Sequence, residues 1–332
     1  MDVLIINHRE VRQLLPMVDC IAVLEQVFVT LAQGDAIQPL RWPLWLPDRS
    51  GLLGMMPGYI GGKIGMMGIK TVTVMPGNHG TEYDSHQGNV MLFEKEHGVL
   101  RAIIDAGEIT AIRTAAASGV ATKVLARPDA SDLALIGSGV QARSHLAAML
   151  AVRSIGRVRV YSPNQERLQK YVAWAKDEFA VDVEPMPDVE SAVSNADIIC
   201  TTTSAREPVL YGDWLSPGVH INAVGSSVPH ARELDTAAVV RSRLYVDWRE
   251  SAVNESGDYL IPLQEGAIDE SHIVGELGEL LSGRVEGRQS PEEITLFDSL
   301  GLAIEDIAAA HTIYTRAIEK NGGRYVEIGR KR

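Results

Sequence analysis

Three kinds of residue in this chain could do chemistry. The first is a glycine run, Gly137-Ser138-Gly139-Val140-Gln141-Ala142, which closes the apolar stretch "DLALI" and opens a helical pattern. Strand, glycine turn and helix in that order bring the backbone close to a pyrophosphate and aim the first N–H groups of the helix at it. Without those flanks such a run is a tight turn and nothing more. The second is Lys70. In "GIKTVTVM" side chains alternate between faces, so Lys70 shares a face with Val72 and Val74. An ammonium there is costly unless it is paired, or unless desolvation lowers its pKa into the range useful for proton transfer. Taken alone, an edge-strand lysine reaching solvent accounts for it as well. The third kind is the guanidinium. Arg113 sits among the alanines of "ITAIRTAAASGVAT", where it meets an anion supplied by a protein carboxylate or by a ligand. Arg41, in "QPLRWPLW", is flanked by aromatic bulk that would exclude water; a surface arginine stacked on Trp42 fits its neighbours equally. His79, His86 and His97 lack metal-ligand spacing, and Lys63 in "GGK" reads as a surface residue.

Those residues need elements to hold them. After Pro16, "MVDCIAVLEQVFVTLAQG" puts Ile21, Leu24, Val27, Phe28 and Leu31 on one helical face, with Gly34 as the stop. From about residue 37 to 104 the pattern changes to short strands punctuated by Gly and Pro. The last of these, "NVMLFEKEHGVLRAIID", predicts a hairpin turning at "EKEHG". "AGEITAIRTAAASGVATKVLA" then predicts a helix whose small residues let a neighbour approach closely. From residue 131 the rhythm becomes strand, helix, strand, helix, through "DLALIG", "RVRVYS", "NQERLQKYVAWAKDE", "ADIICTTT", "GVHINAVG", "SRLYVDW" and "EITLF". Such alternation predicts an α/β fold, a Rossmann-type doubly wound parallel sheet. The closing "SLGLAIEDIAAAHTIYTRAIEK" is helical, with Leu302, Asp306 and Ala309 on adjoining turns. The organisation expected is an α+β domain over residues 1–124, completed by a C-terminal helix within 301–332, with a dinucleotide-binding domain over 125–300 inserted behind it.

At 332 residues the chain is long for one hydrophobic core, in keeping with two domains. The formal charge of −12, with no segment that concentrates lysine and arginine, disfavours nucleic acid and anionic membrane surfaces as partners. No apolar run approaches the ~18 residues of a membrane-spanning helix. The start, "MDVLIINHREVRQLL", lacks the basic and apolar regions of a secretory signal. Cys20 and Cys200 lie too far apart for a disulfide framework or a metal site and read as buried hydrophobes. A reducing cytoplasm fits these features, and no metal is expected.

The second strand of a dinucleotide fold ends in an acid when it grips the ribose 2′-hydroxyl of NAD. Here it ends in Tyr161-Ser162-Pro163-Asn164, with Arg167 a turn later. Ser162 and Asn164 can bond a ribose hydroxyl or a phosphate oxygen alike. No carboxylate stands there to repel a 2′-phosphate, and no arginine stands at the usual place to pair with one. NAD and NADP both remain admissible, and dual use is expected.

Taken in order, "MMPGY", "MGIKTVTVMPGN", "SHQGNVMLF", "ITAIRTAAASGVAT", "LALIGSGVQARSH", "NAVGSSVPHARELD" and "TLFDSLGLAIEDIAAA" resemble the ornithine cyclodeaminase/mu-crystallin family over about residues 3–320. The resemblance implies an NAD(P)-dependent protein acting on amino acids or their imines. It also implies a Rossmann domain inserted behind an N-terminal substrate domain that forms the contact of a homodimer. The family includes cyclodeaminases, alanine dehydrogenases, ketimine and pyrroline-carboxylate reductases, and a lens protein that binds thyroid hormone. By the resemblance, Lys70 and Arg41 contact the substrate and Arg113 holds its carboxylate. Gly137, Ser138, Gly139, Val140 and Gln141 hold the cofactor diphosphate. Thr202, Val224 and Ser299 lie near the cofactor, and Leu300 near the substrate.

Cyclodeaminases of the family carry an aspartate in the loop corresponding to "VGSSVPHARELD", at or beside Ser227. Cyclisation needs a group that takes a proton from the substrate's side-chain amine, and a serine hydroxyl is a poor base without a partner. Mu-crystallin-like reductases resemble this chain in having a serine there. The expected activity is therefore NAD(P)H-dependent reduction of ketimines or imino acids, reversible as amino-acid dehydrogenation, with Lys70, Arg41, Arg113 and Ser227 as catalytic candidates. Ornithine cyclodeamination, an ammonia-lyase reaction yielding proline, is the alternative within the fold. A catalytically idle small-ligand binder, like the lens relative, is the alternative from another class.

Overall fold

The computed structural model describes residues 2–78 and 81–329. It divides into two compact units, one of residues up to 113 with those from 301 onward, the other of residues 114–300.

In the first unit β1 (Asp2–Ile6) leads to α1 (His8–Leu14) through Asn7. The Asn7 side chain accepts from the N–H groups of Arg9 and Glu10, and Glu10 accepts from the Asn7 N–H, which closes a capping box. α2 (Met17–Ala32) is the helix expected after Pro16; it buries Cys20, Ile21, Leu24, Val27 and Phe28, while Leu31 is only half-buried. Next come β2 (Ala36–Ile37), β3 (Trp42–Trp45), β4 (Leu52–Ile60), β5 (Met66–Val74), β6 (His86–Glu94) and β7 (Leu100–Asp105), the last two forming the expected hairpin. α3 (Ala106–Leu125) follows, and the division of the chain falls inside it.

The second unit supplies β8 (Asp132–Ile136), α4 (Val140–Val152), β9 (Arg157–Tyr161), α5 (Gln165–Phe179), β10 (Val183–Pro185), α6 (Val189–Val193), β11 (Ile198–Thr201) and β12 (His220–Ala223). It continues with α7 (Thr236–Val240), β13 (Ser242–Val246), α8 (Arg249–Glu255), α9 (Gly257–Gln264), β14 (Ile273–Glu276), α10 (Leu277–Leu281) and β15 (Ile294–Asp298). The chain then rejoins the first unit as α11 (Ala303–Lys320) and β16 (Arg324–Glu327).

The sheet of the second unit runs β10-β9-β8-β11-β12-β15-β13-β14, with every pair parallel. This is the Rossmann-type doubly wound sheet expected from the alternation, and in chain order it follows the strands of the N-terminal α+β unit. Strands such as β8, β11 and β12 are buried along their length, because a parallel sheet covered on both faces tolerates few polar side chains. The strand order reverses between β8 and β11. At such a switch point the loops leaving the two strands diverge and open a crevice at their C-terminal ends. Among the described residues no single helix is long and apolar enough to cross a membrane. Cys20 and Cys200 are free and buried.

In the first unit the order is β16-β1-β7-β6-β5-β4-β2, with β3 paired to β4. Only β1 and β7 run parallel; the remaining pairs are antiparallel. β5 is thus a central strand, and Lys70 stands opposite Met56 of β4 and Val90 of β6. The edge-strand account of Lys70 fails: the residue is 3% exposed. α11 packs across β4, β5 and β6. It comes close because Gly58 and Gly68 lie opposite each other on neighbouring strands. A Cβ at Gly68 would sit 2.7 Å from Ile307 Cγ1, and one at Gly58 would sit 3.0 Å from Ile307 Cδ1. Ile307 fills the groove that two missing side chains leave.

That groove generates a prediction. Gly68→Ala should destabilise the protein by about 1–3 kcal/mol, the usual consequence of overpacking a filled core. A urea midpoint equal to that of the parent would show that α11 does not depend on the glycine pair.

Candidate active site

Within the first unit, α11 begins after Leu302, and its first turn carries Glu305 and Asp306, both fully buried. Acids suit that place, where the partial positive charge of a helix N-terminus favours carboxylates. Gln38 reinforces the start: its Oε1 accepts the Ile304 N–H at 3.1 Å, and its Nε2 donates to the Pro39 carbonyl. The Asp306 carboxylate is shared. One oxygen lies 2.8 Å from Lys70 Nζ, and the other accepts from Arg113 Nε at 2.9 Å. Arg113 Nη1 donates to Glu305 at 2.8 Å. Arg41, three residues beyond Gln38, donates to the Gly301 carbonyl at 3.3 Å.

The electrostatics follow from that layout. Burial pulls the Lys70 ammonium down to about 8; Asp306 opposes the fall, while the positive charges of Arg113 and Arg41 add to it. Burial acts on Arg113 in the same downward sense, but the Asp306 and Glu305 carboxylates outweigh it and hold the guanidinium above its ordinary value. Arg113 thus meets protein carboxylates, one of the two anion sources its surroundings allowed. A buried lysine that titrates near neutrality, beside guanidinium groups, can move a proton at an atom whose carboxylate neighbour is held by arginine.

Within the second unit the glycine run lies at the switch point. Gly137 follows β8 with φ +117, a conformation that L side chains rarely adopt. A Cβ there would lie 2.8 Å from Thr202 Oγ1, just beyond β11. Thr202 is fixed in turn, since its N–H and its hydroxyl both donate to the Ile136 carbonyl. Gly139 is the N-cap of α4; no side chain caps it, and a Cβ there would meet nothing within 4 Å. An uncapped helix N-terminus with open space in front fits a dinucleotide phosphate. Val140 is exposed and Gln141 half-buried beside it. His145 steadies that first turn. Its Nδ1 donates to the Gln141 carbonyl at 2.8 Å, so its Nε2 accepts the Ser118 hydroxyl at 2.9 Å. Burial holds this imidazole neutral, down to about 4.

The remaining candidates take varied positions. Ser138 donates to Ser162 at 2.9 Å, which joins the glycine turn to the end of β9. Asn164 caps α5, its Oδ1 accepting the Arg167 N–H. The Ser299 N–H bonds the Ala223 carbonyl, and the Leu300 N–H bonds Asp247 at 2.7 Å. Val224 and Ser227 are half-buried in the loop after β12. Trp42 is 63% exposed in the single chain, so one copy alone does not place this ring as a shield over Arg41. His86 bonds Ser85, His97 lies beside Glu94, Lys63 is exposed, and His79 lies outside the described residues.

The family model for ornithine cyclodeaminase/mu-crystallin proteins matches residues 1–321. The chain belongs to the ornithine cyclodeaminase/mu-crystallin family. It is 41% identical to the ketimine reductase mu-crystallin of Mus musculus over 281 residues, 85% of each chain. The solved Delta(1)-pyrroline-2-carboxylate reductase of Thermococcus litoralis, in complex with NADH and L-proline, superposes with a TM-score of 0.95 at 38% identity, covering 98% of this chain and 100% of that one. An archaeal alanine dehydrogenase dimer with bound NAD gives 0.93 at 34% identity, covering 99% and 100%. The first two of these relatives are reductases of C=N bonds, and one of them is seen with NADH.

Sequence reasoning missed Glu305, Asp306 and Gln38 as parts of the cluster. Asp306 was visible only as a helix residue near Leu302 and Ala309. The available signal was the adjacent acid pair in the first turn of a helix, followed directly by the apolar run Ile307-Ala308-Ala309-Ala310, where two buried charges require cations.

Asp306→Asn tests the shared carboxylate. Removing one partner of a buried ion pair should cost about 3–5 kcal/mol of unfolding free energy. Since Asp306 is what supports the Lys70 charge against burial, the lysine should titrate below its value of about 8 in the variant. NMR of the lysine side chain reads this directly; a titration at unchanged pH would dismiss the coupling.

Proposed function

We infer that the protein is an NAD(P)H-dependent reductase of ketimines and imino acids, working in reverse as an amino-acid dehydrogenase. The observation that carries this is the buried Lys70 ammonium, 2.8 Å from the carboxylate it shares with Arg113. Relatives that reduce pyrroline-2-carboxylate and other ketimines, one of them solved with NADH and L-proline, support the same substrate class.

Roles for the residues follow from their chemistry. Arg113 and Arg41 orient the carboxylate of the imino acid; Glu305 and Asp306 hold Arg113 rigid, so little is reorganised when substrate arrives. When bound, the reduced nicotinamide supplies two electrons and a hydrogen to the carbon of the C=N bond. Lys70, as the ammonium, stabilises the electron pair displaced onto nitrogen and hands it the balancing proton, so that C=N becomes CH–NH. Gly137 to Gln141 hold the diphosphate, Ser162 and Asn164 bond the ribose, and Thr202, Val224 and Ser299 flank the cofactor. Leu300 contacts the substrate. Ser227 stands where a stronger base would be needed for cyclisation, which favours reduction. NAD and NADP both serve.

The test follows oxidation of NADH and NADPH with pyrroline-2-carboxylate, piperideine-2-carboxylate, and pyruvate with ammonia or methylamine. Turnover with at least one is expected; none would overturn the reading. Lys70→Ala should lower kcat by ~10²-fold or more, the span of general acid–base groups, with NADH affinity little changed. The parent kcat/KM for reduction should fall as pH rises through about 8, because the protonated lysine is the active form. A rate flat from pH 7 to 9 would remove Lys70 from the proton step.

We further propose a cytoplasmic homodimer. Two free buried thiols suit a reducing compartment. Strand β3 exposes Trp42, Leu44 and Trp45, with Leu46 just beyond it. Apolar strand surface of this kind is usually covered. A second copy is the occupant favoured by the archaeal relative, which is a dimer. Light scattering should give about twice 36.1 kDa, and Leu44→Glu should shift the population toward monomer. A parent chain that is monomeric at micromolar concentration would reject the dimer.

A further inference from the structure

Glu233, in the "ARELD" segment, is fully buried and makes no ion pair with a lysine or arginine among the described residues. Its carboxylate accepts two backbone N–H groups instead, that of Thr203 on one oxygen and that of Gly225 on the other, each at 2.6 Å. Those two residues lie just past the ends of β11 and β12, which pair in parallel up to Thr201 and Ala223. Where the ladder between the strands ends, one bidentate carboxylate takes over as the link between the two segments.

Both bridged segments carry residues assigned above to the cofactor, Thr202 and Val224. Thr202 bonds the Ile136 carbonyl through its N–H and its hydroxyl and abuts Gly137. Glu233 therefore acts on the glycine turn through Thr203 and Thr202. The approach is close enough to exclude a side chain at Gly225: a Cβ there would sit 2.2 Å from the Thr203 carbonyl oxygen and 2.5 Å from the Glu233 carboxylate carbon. Glu233 is itself fixed on every side. Its carbonyl accepts from Val209 and Leu210, and its N–H and that of Leu234 donate to Asp258 Oδ1 at 3.0 and 2.8 Å.

We propose that Glu233 is a positioning residue for the dinucleotide, its carboxylate setting the separation of the Thr202–Thr203 and Val224–Gly225 segments that receive the cofactor. The proposal rests on the dinucleotide reading of this unit. Burial disfavours the charged form of Glu233 and raises its pKa, and the two N–H donors and the nearby threonine hydroxyls oppose that rise. A glutamine in its place keeps the shape but offers one acceptor oxygen, and turns an NH2 group toward the other N–H donor.

The experiment titrates NADH onto Glu233→Gln, without substrate, by fluorescence or calorimetry. The dissociation constant should rise at least tenfold, while KM for the imino acid at saturating NADH stays within twofold. Val239→Ala, a truncation in the buried face of α7, is the comparison: it should lower thermal stability and leave NADH affinity intact. Equal NADH affinity in Glu233→Gln and parent would overturn the proposal, as would an equal loss in Val239→Ala at matched folded fraction. If Glu233→Gln does not fold, Glu233→Asp decides, since it keeps the charge and shortens the reach to the two N–H groups by one methylene. It too should bind NADH at least tenfold more weakly, and unchanged binding would reject the bridge. A parent protein that bound neither NADH nor NADPH would overturn the dinucleotide reading and this proposal together, an outcome distinct from all of these.

Discussion

The Asp306 carboxylate, sealed from water, pairs with the Lys70 ammonium through one oxygen and accepts from the Arg113 guanidinium on the other. The first unit is arranged around keeping that contact. A buried charge without its partner is strongly destabilising, so the helix that carries Asp306 cannot slide or rotate on the sheet that carries Lys70. Ile307, the next residue, locks the same register by filling the groove over Gly58 and Gly68. Gln38 ties down the helix start from the segment that leads to Arg41. Packing and charge pairing specify one placement of α11, and the buried, paired state of Lys70 is a product of that placement. Buried pairs of this kind add little net stability over apolar residues of the same size. Their retention here fits a chemical use.

The second unit handles buried acids by other means. Glu233, Asp247, Asp258 and Asp298 are each at most 2% exposed, and each accepts backbone N–H groups or a serine hydroxyl. Burial, with the charge of neighbouring acids, pushes Asp258 and Asp298 above the usual carboxylate range. Both acids are thereby biased toward the protonated form, which limits repulsion between neighbouring carboxyls. The N–H groups they hold belong to loops leaving the C-terminal ends of the strands, the side on which an open parallel sheet receives a ligand. One unit thus uses acids to fix cations, and the other uses acids to fix backbone.

Much of this was legible in residue order. Alternation of apolar strands and amphipathic helices gave the parallel sheet, and α5 and β9 fell where periodicity placed them. Gly137 and Gly139 were readable because their context, a strand before and a helix after, is local. Lys70 was conspicuous as the one charge on an apolar strand face. Its isolation raised the right question and left the answer open between solvent and a partner.

The sequence by itself determined the elements, the glycine turn and the identity of the odd residues, because propensity and side-chain period act over a few residues. Tertiary structure decided the rest. It placed β5 in the centre of its sheet and made Lys70 a buried group. It set β15 between β12 and β13, and returned β16 to pair with β1. It brought Arg113 to an acid 193 residues away. Strand order and ion-pair partners are chosen by which distant faces bury each other and which charges would otherwise be stranded, and no short-range pattern records that choice.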